Sequence, residues 1–128
     1  MGIKIPRILI AGLAGDSGKT IISLSLLSAM RQRGFKVSVY KKGPDYIDAA
    51  WLGHAAQAPC RNLDSYLVET KDLVARFVGS ASTTDYAVIE GNRGIFDGKD
   101  VEGTHSSAEL AKTLQCPVVL CVSATKTT

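Results

Sequence analysis

Gly12-Leu13-Ala14-Gly15-Asp16-Ser17-Gly18-Lys19-Thr20 is the stretch on which the reading of this chain turns. The apolar run Ile8-Leu9-Ile10-Ala11 precedes it, and an amphipathic run from Ile21 to Met30 follows. Strand, glycine loop and helix, in that order, are the context of a phosphate-binding loop. Successive backbone N–H groups curl around an anion there, and the helix N-terminus adds partial positive charge. Lys19 is expected at the β- and γ-phosphates and the Thr20 hydroxyl at Mg²⁺. The spacing departs from G-x-x-x-x-G-K-[ST]: the first glycine is due at position 13, where Leu13 stands, and is found at Gly12. A bare Gly-Lys-Thr also suits a plain helix start with an exposed lysine. The preceding strand, Gly12, Gly15 and the following helix favour nucleotide binding, by Gly12, Gly15, Asp16, Ser17, Gly18, Lys19 and Thr20.

Outward from the loop, Arg7–Ala11 reads as a short buried strand, and Gly18 to about Arg33 as a helix. In that helix Ile22, Leu26 and Met30 are spaced to face inward, and Gly34 ends it. Lys36–Lys41 is a second strand, so the three elements make a right-handed βαβ unit of a parallel sheet. Ala49–Gln57 reads as a short helix, Pro59–Tyr66 as loop, and Lys71–Val78 as an amphipathic helix. Asp85–Glu90 is the next apolar strand, followed by a glycine-rich loop. Ser106-Ser107-Ala108-Glu109 has capping-box spacing and opens a helix to about Leu114. Pro117–Ser123 is a further apolar strand. The expected fold is α/β: a P-loop NTPase-like three-layer sandwich with a mainly parallel sheet, incomplete at its C-terminal end. Residues 1–128 form one truncated P-loop domain in this reading.

Composition narrows the function classes. The 128 residues suffice for one domain, with 45% hydrophobic and 21% charged residues. A formal net charge of +3, with basic residues dispersed, does not point to nucleic acid. No apolar run reaches the roughly 18 residues of a membrane span, and residues Met1 to Arg7 lack a secretory signal. A cytoplasmic protein is expected, with neither membrane nor nucleic acid as partner. Cys60, Cys116 and Cys121 form no C-x-x-C pair and suggest no disulfide framework. Cys121 reads as a small core residue, and His54 and His105 lack metal-ligand spacing.

Open α/β sheets bind ligands at the carboxyl ends of their strands. Asp45 and Asp48 follow the second strand and Glu90 ends the third. In a parallel sheet they share an edge with the phosphate loop, where acids hold Mg²⁺ directly or through water. Thr20, Asp45 and Glu90 are the candidate metal-side groups. Lys41, a second cation at a strand end, either neutralises a phosphate or substrate carboxylate or is a surface charge. Asp64 and Asp97 sit in expected loops and read equally as turn formers.

Taken together, the long phosphate loop, Lys41-Lys42-Gly43-Pro44-Asp45-Tyr46-Ile47-Asp48, Arg61-Asn62-Leu63-Asp64 and Glu90-Gly91-Asn92-Arg93-Gly94-Ile95-Phe96-Asp97-Gly98 resemble the cobyrinate a,c-diamide synthase family. Ser107–Leu114 followed by Cys116-Pro117-Val118 resembles it too, so the likeness spans nearly the whole chain in order. The resemblance implies an N-terminal domain that binds ATP and Mg²⁺ and phosphorylates the a- and c-acetates of a corrin-ring precursor. It also implies a C-terminal glutamine amidotransferase domain that supplies ammonia, absent from these residues. By matched position, Lys19, Lys41, Asp48 and Asp97 are the catalytic candidates. Asp48, Asp64 and Asp97 are expected to orient substrate, ammonia or the charged intermediate, and Tyr46 and Ile47 to line the ring site. Asp16-Ser17 departs from the family's usual Gly-Val. Asn92-Arg93 stands where smaller or apolar residues are usual, adding a cation near the substrate carboxylates.

Alternatives remain open at this point. Related synthases amidate nickel sirohydrochlorin, and cobyrinate, hydrogenobyrinate and nickel sirohydrochlorin are not separable here. A dethiobiotin-synthetase-like ligase lacks the Gly-Pro-Asp-Tyr-Ile-Asp segment. A partitioning-type ATPase carries an early second lysine where this chain has Ala14. An isolated nucleotide-binding module without turnover, and a homodimer, are further options.

Overall fold

A computed structural model of the chain describes residues 3–15, 17–98 and 103–124. Strands and helices alternate: β1 (Arg7–Gly12), α1 (Lys19–Gln32), β2 (Val37–Lys42), α2 (Ile47–Ala56), β3 (Cys60–Leu63), α3 (Thr70–Ala81), β4 (Tyr86–Gly94), α4 (Ser107–Leu114) and β5 (Val118–Cys121). The five strands form one sheet in the order β3-β2-β4-β1-β5, and every neighbouring pair is parallel.

Parallel strands bury both faces, and successive side chains alternate between them. Leu9, Ala11, Tyr40, Ala87 and Ile89 meet Leu73, Val74, Phe77, Leu110 and Leu114 of α3 and α4. Ile10, Val37, Val39 and Val88 meet Leu27, Leu52 and Ala56 of α1 and α2. Two helices therefore cover each face, the expected three layers. Right-handed crossovers explain the split. The chain moves one way along the sheet through α1 and α2 and the other way through α3 and α4. The reversal falls between β1 and β4, and the crevice at their carboxyl ends is where such sheets place ligands.

Three expectations change. Cys60–Leu63 is not loop but an edge strand, registered Val39↔Cys60 to Lys42↔Leu63. Arg61 and Asn62 hide it from an apolar pattern, and of its four residues only Leu63 is buried. The inward face of α1 is turned by one residue: Ser23 and Leu27 are buried while Ile22 is 45% exposed, and Leu26 and Met30 are partly buried beside them. The strand expected to stop at Glu90 continues to Gly94. Its pairing with β1 slips between Ile10↔Glu90 and Gly12↔Gly94. Residues 91–93 bulge there, with Arg93 left-handed at φ 52°. Bulges of this kind re-aim side chains beside active sites.

The remaining elements follow their sequence signals. Leu73, Val74, Phe77 and Ala81 form one buried stripe of α3. Ser106 caps α4, its Oγ accepting from Glu109 N at 3.2 Å. Cys121 is buried, while Val118, Val119 and Leu120 of the edge strand β5 are 38–45% exposed. All three cysteines are free thiols. No helix among the described residues is long and apolar enough to cross a membrane.

Candidate functional site

Gly18, left-handed at φ 86°, turns the chain into α1. A side chain there would be strained. No side chain caps α1, and its first turn holds no acid. Its leading N–H groups and positive dipole end suit an anion. Upstream, the Ser17 hydroxyl donates to Ala14 O at 2.6 Å and closes the loop. The loop folds so tightly that a Cβ on Gly12 would meet Ala14 O at 2.7 Å. These contacts account for Gly12, one residue early, and for Ser17. Asp16 lies outside the described residues.

Lys41 and Glu90 are register partners on β2 and β4, so their side chains share the α1–α2 face. Both are buried, at 2% and 0% exposure, and Lys41 Nζ stands 3.0 Å from Glu90 Oε1. Lys41 Nζ also donates to Gly91 O at 2.9 Å and lies 3.8 Å from Asp48 Oδ2. Lys41 is thus no surface charge. Thr20 Oγ1 reaches the same Glu90 Oε1 from α1 at 3.2 Å. Lys19 Nζ donates to Arg93 O at 3.2 Å, across the crevice. A cavity of about 300 Å³ is lined by Ser17, Gly18, Lys19, Thr20, Lys41, Asp48, Glu90 and Asn92. Other cavities are larger: one of about 750 Å³ over α3 is apolar and offers little but Lys71 for chemistry. Size alone does not mark the site.

Glu90 Oε2 is buried with no hydrogen-bond partner among the described residues. An orphaned carboxylate oxygen is costly unless something accepts its charge. With Thr20 Oγ1 on Oε1 of the same carboxylate, the donor set fits a hard cation that binds oxygen and keeps several waters, as Mg²⁺ does. No three His, Cys, Asp or Glu side chains converge as a closed metal cage among the described residues. An ion completed by phosphate oxygens needs none.

Asp45 is used differently from Glu90. Its Oδ1 accepts from Ile47 N and Asp48 N, both at 3.0 Å, and closes the start of α2. That leaves Oδ2, and Asp45 does not line the 300 Å³ cavity. Asp48 does, and its carboxyl is raised above the ordinary aspartate value, by burial first and then by the Asp45 carboxylate. Asn62 Nδ2 donates to Gly43 O at 2.6 Å and Asp45 O at 2.9 Å. The strand missed in the sequence therefore holds the Gly43–Asp45 turn.

Asp64 and Asp97 face a second cavity, of about 510 Å³, with Lys42, Asn92, Arg93 and His105. Each also makes a turn: Asp64 Oδ1 accepts from Tyr66 N at 2.9 Å and Asp97 Oδ2 from Gly94 N at 2.9 Å. The turn-former reading of these acids therefore holds, and both also line the cavity. Tyr46 and Ile47 open α2 at 76% and 77% exposure, and Trp51 is 61% exposed. Ile47 and Trp51, four apart, share a helix face. This apolar shelf gains a residue, Trp51, that the sequence did not single out. His105, which lacks metal-ligand spacing in the sequence, lines the second cavity. Its Nδ1 lies 2.7 Å from Ser65 Oγ, and its ring stacks on Tyr66 at 4.5 Å. No spacing in the sequence signals a contact across 40 positions.

Residues 8–115 match the CbiA family, described as the CobQ/CobB/MinD/ParA nucleotide binding domain. The chain is 48% identical over 122 residues to the cobyrinate a,c-diamide synthase of Magnetococcus marinus. It is 42% identical over 123 residues to that of Syntrophotalea carbinolica, and 39% over 125 residues to that of Methanosarcina acetivorans. These alignments take in 94–95% of this chain and 25–27% of the relatives. The chain spans about a quarter of the length of the curated relatives it matches.

Proposed function

Because the chain belongs to the CobQ/CobB/MinD/ParA nucleotide binding domain family, we propose that it is the ATP-using part of a cobyrinate a,c-diamide synthase. The reaction is phosphorylation of the a- and c-acetate carboxylates of a corrin-ring precursor, then displacement of phosphate by ammonia. A carboxylate is a poor electrophile, and an acyl phosphate carries a good leaving group. Ammonia comes from glutamine through an amidotransferase domain, and the protein works in the cytoplasm.

The observation that carries this reading is the juxtaposition of Lys19, Thr20, Lys41, Asp48 and Glu90 around one cavity at the end of α1. Bringing a carboxylate to a γ-phosphoryl group collects negative charge, so catalysis rests on positioning and cationic compensation. In this proposal the loop N–H groups hold the phosphates and Lys19 leaves the Arg93 carbonyl for the γ-phosphoryl. Lys41 neutralises Glu90 and the incoming charge. Glu90 and Thr20 would hold Mg²⁺, which would supply compensating positive charge. Asp45 contributes through Asp48 or a bound water, since one of its oxygens serves α2. Asp48 and Asp97 orient the acceptor or ammonia, with Asp64. Tyr46, Ile47 and Trp51 offer an apolar shelf to the macrocycle. The names of the relatives support cobyrinate; nickel sirohydrochlorin is the competing acceptor.

The test is steady-state amidation by the intact protein with glutamine or ammonium as donor and Mg²⁺ titrated. Glu90→Gln keeps the shape and removes one charge. Turnover is expected to fall by more than tenfold, with a higher Mg²⁺ requirement. A wild-type rate and Mg²⁺ profile in that variant would remove Glu90 from the metal site. A wild type that amidates neither cobyrinate nor nickel sirohydrochlorin would overturn the function.

A further inference from the structure

Lys42 and Arg93 lie outside the phosphate-loop cavity, in the wall of its neighbour. Lys41 points to the α1–α2 face, so Lys42, next along β2, points to the other side of the sheet. There it lines the 510 Å³ cavity together with Arg93. Asn92 belongs to the walls of both cavities, so the second adjoins the first. Arg93 is held from behind: its left-handed backbone closes the β4 bulge, and its carbonyl carries Lys19 Nζ. Among the described residues neither Lys42 Nζ nor the Arg93 guanidinium has an ion pair. The acids facing them, Asp64 and Asp97, each have one oxygen committed to a backbone N–H. Burial pushes the Lys42 ammonium below its usual value; Asp64 opposes this, while Lys41 and Arg93 add to it. An ammonium so placed gains from an incoming anion.

We propose that Lys42 and Arg93 form a carboxylate subsite, which holds a second acidic side chain of the acceptor while the first is phosphorylated beside Lys41 and Asp48. These two residues then set specificity: the enzyme selects a polycarboxylate over a mono-acid. The inference rests on the proposed amidation. A guanidinium matches a carboxylate bidentately, and an ammonium beside it adds a point charge.

The experiment uses the intact protein with Lys42→Gln, Lys42→Arg and Arg93→Asn, asparagine being tolerant of a left-handed backbone. KM and kcat are measured for cobyrinate, and ATP affinity by calorimetry. A cobyrinate methyl ester that keeps a single acetate free, and so offers no second acid, serves as comparison. Lys42→Gln and Arg93→Asn are expected to raise the KM for cobyrinate about tenfold or more, in line with loss of a charge-assisted contact. ATP affinity stays within about twofold of wild type, and Lys42→Arg recovers most of the loss. The ester is expected to bind wild type and variants alike. Unchanged KM in Lys42→Gln and Arg93→Asn, with cobyrinate turned over normally, would overturn the subsite and leave the amidation standing. If wild type binds ATP yet takes no cobyrinate, the amidation reading falls, and the subsite is judged with tricarballylate instead. Calorimetric binding that disappears in Lys42→Gln and Arg93→Asn is expected, and absence of binding to wild type overturns it.

Discussion

Remove the ammonium of Lys41 and the Glu90 carboxyl, at 0% exposure, loses its cation, with Thr20 Oγ1 its one remaining donor among the described residues. Breaking a buried pair from one side costs about 3–5 kcal/mol, whereas replacing both partners by neutral groups costs far less. Lys41→Met is therefore expected to lose stability on that scale in urea denaturation. The double variant Lys41→Met/Glu90→Gln should recover most of it, and a double variant as unstable as the single would deny the coupling. Asp48 makes a pH-dependent prediction. Its folded carboxyl titrates above the ordinary 3.8, burial being the main cause. Over the interval above 3.8 the native state binds more protons than the unfolded chain, so this group's contribution falls as pH rises through it. Asp48→Asn lacks that loss. Its stability relative to wild type should be greater at pH 7 than at pH 4, by thermal melts at both. A gap that is flat or of opposite slope would contradict the shift.

Between elements, Arg7 makes the longest-range side-chain hydrogen bonds among those described. From the start of β1 its Nε donates to Leu114 O at 2.7 Å and its guanidinium to Gln115 O at 3.0 Å. It also donates to Ile3 O and Ile5 O. A cation at the end of α4 satisfies terminal carbonyls and opposes the helix dipole. Arg7→Met keeps much of the side-chain bulk and removes these bonds. A loss of about 1.5–3 kcal/mol is expected, as for hydrogen bonds from a charged group. Chemical denaturation checks it, and an unchanged midpoint would mean that water replaces the guanidinium at no cost. The same scale explains why β3 escaped the sequence pattern. A short edge strand needs one buried side chain and a partner, and Leu63 with β2 supplies both. α1 shows the complementary error: its apolar residues outnumber the places on its buried face, so Ile22 stays outside while small Ser23 is buried.

Across the whole molecule the phosphate loop is tied to several strands at once. Leu13 N donates to Cys121 O at 3.0 Å and Ile95 N to Gly12 O at 2.7 Å. Lys19 reaches Arg93 on the far side of the crevice. A nucleotide bound there stabilises the native state by linkage, about 2.7 kcal/mol at a ligand concentration of 100 Kd. MgATP should raise Tm, and Lys19→Ala should lose that rise while keeping the ligand-free Tm close to wild type. Equal Tm shifts in both proteins would detach Lys19 from the phosphates. Local sequence by itself determined the phosphate loop, the alternation of strand and helix, and the acids at strand ends. Each of these is written in contiguous residues, through glycine spacing, apolar periodicity and capping. Tertiary structure alone decided the strand order, the edge strand β3, the turned face of α1 and the identity of the buried pair. Lys41 and Glu90 lie 49 positions apart, and nothing local to either marks the other. Only the parallel register of β2 on β4 brings them to one face of one sheet, where burial turns two ordinary charges into partners.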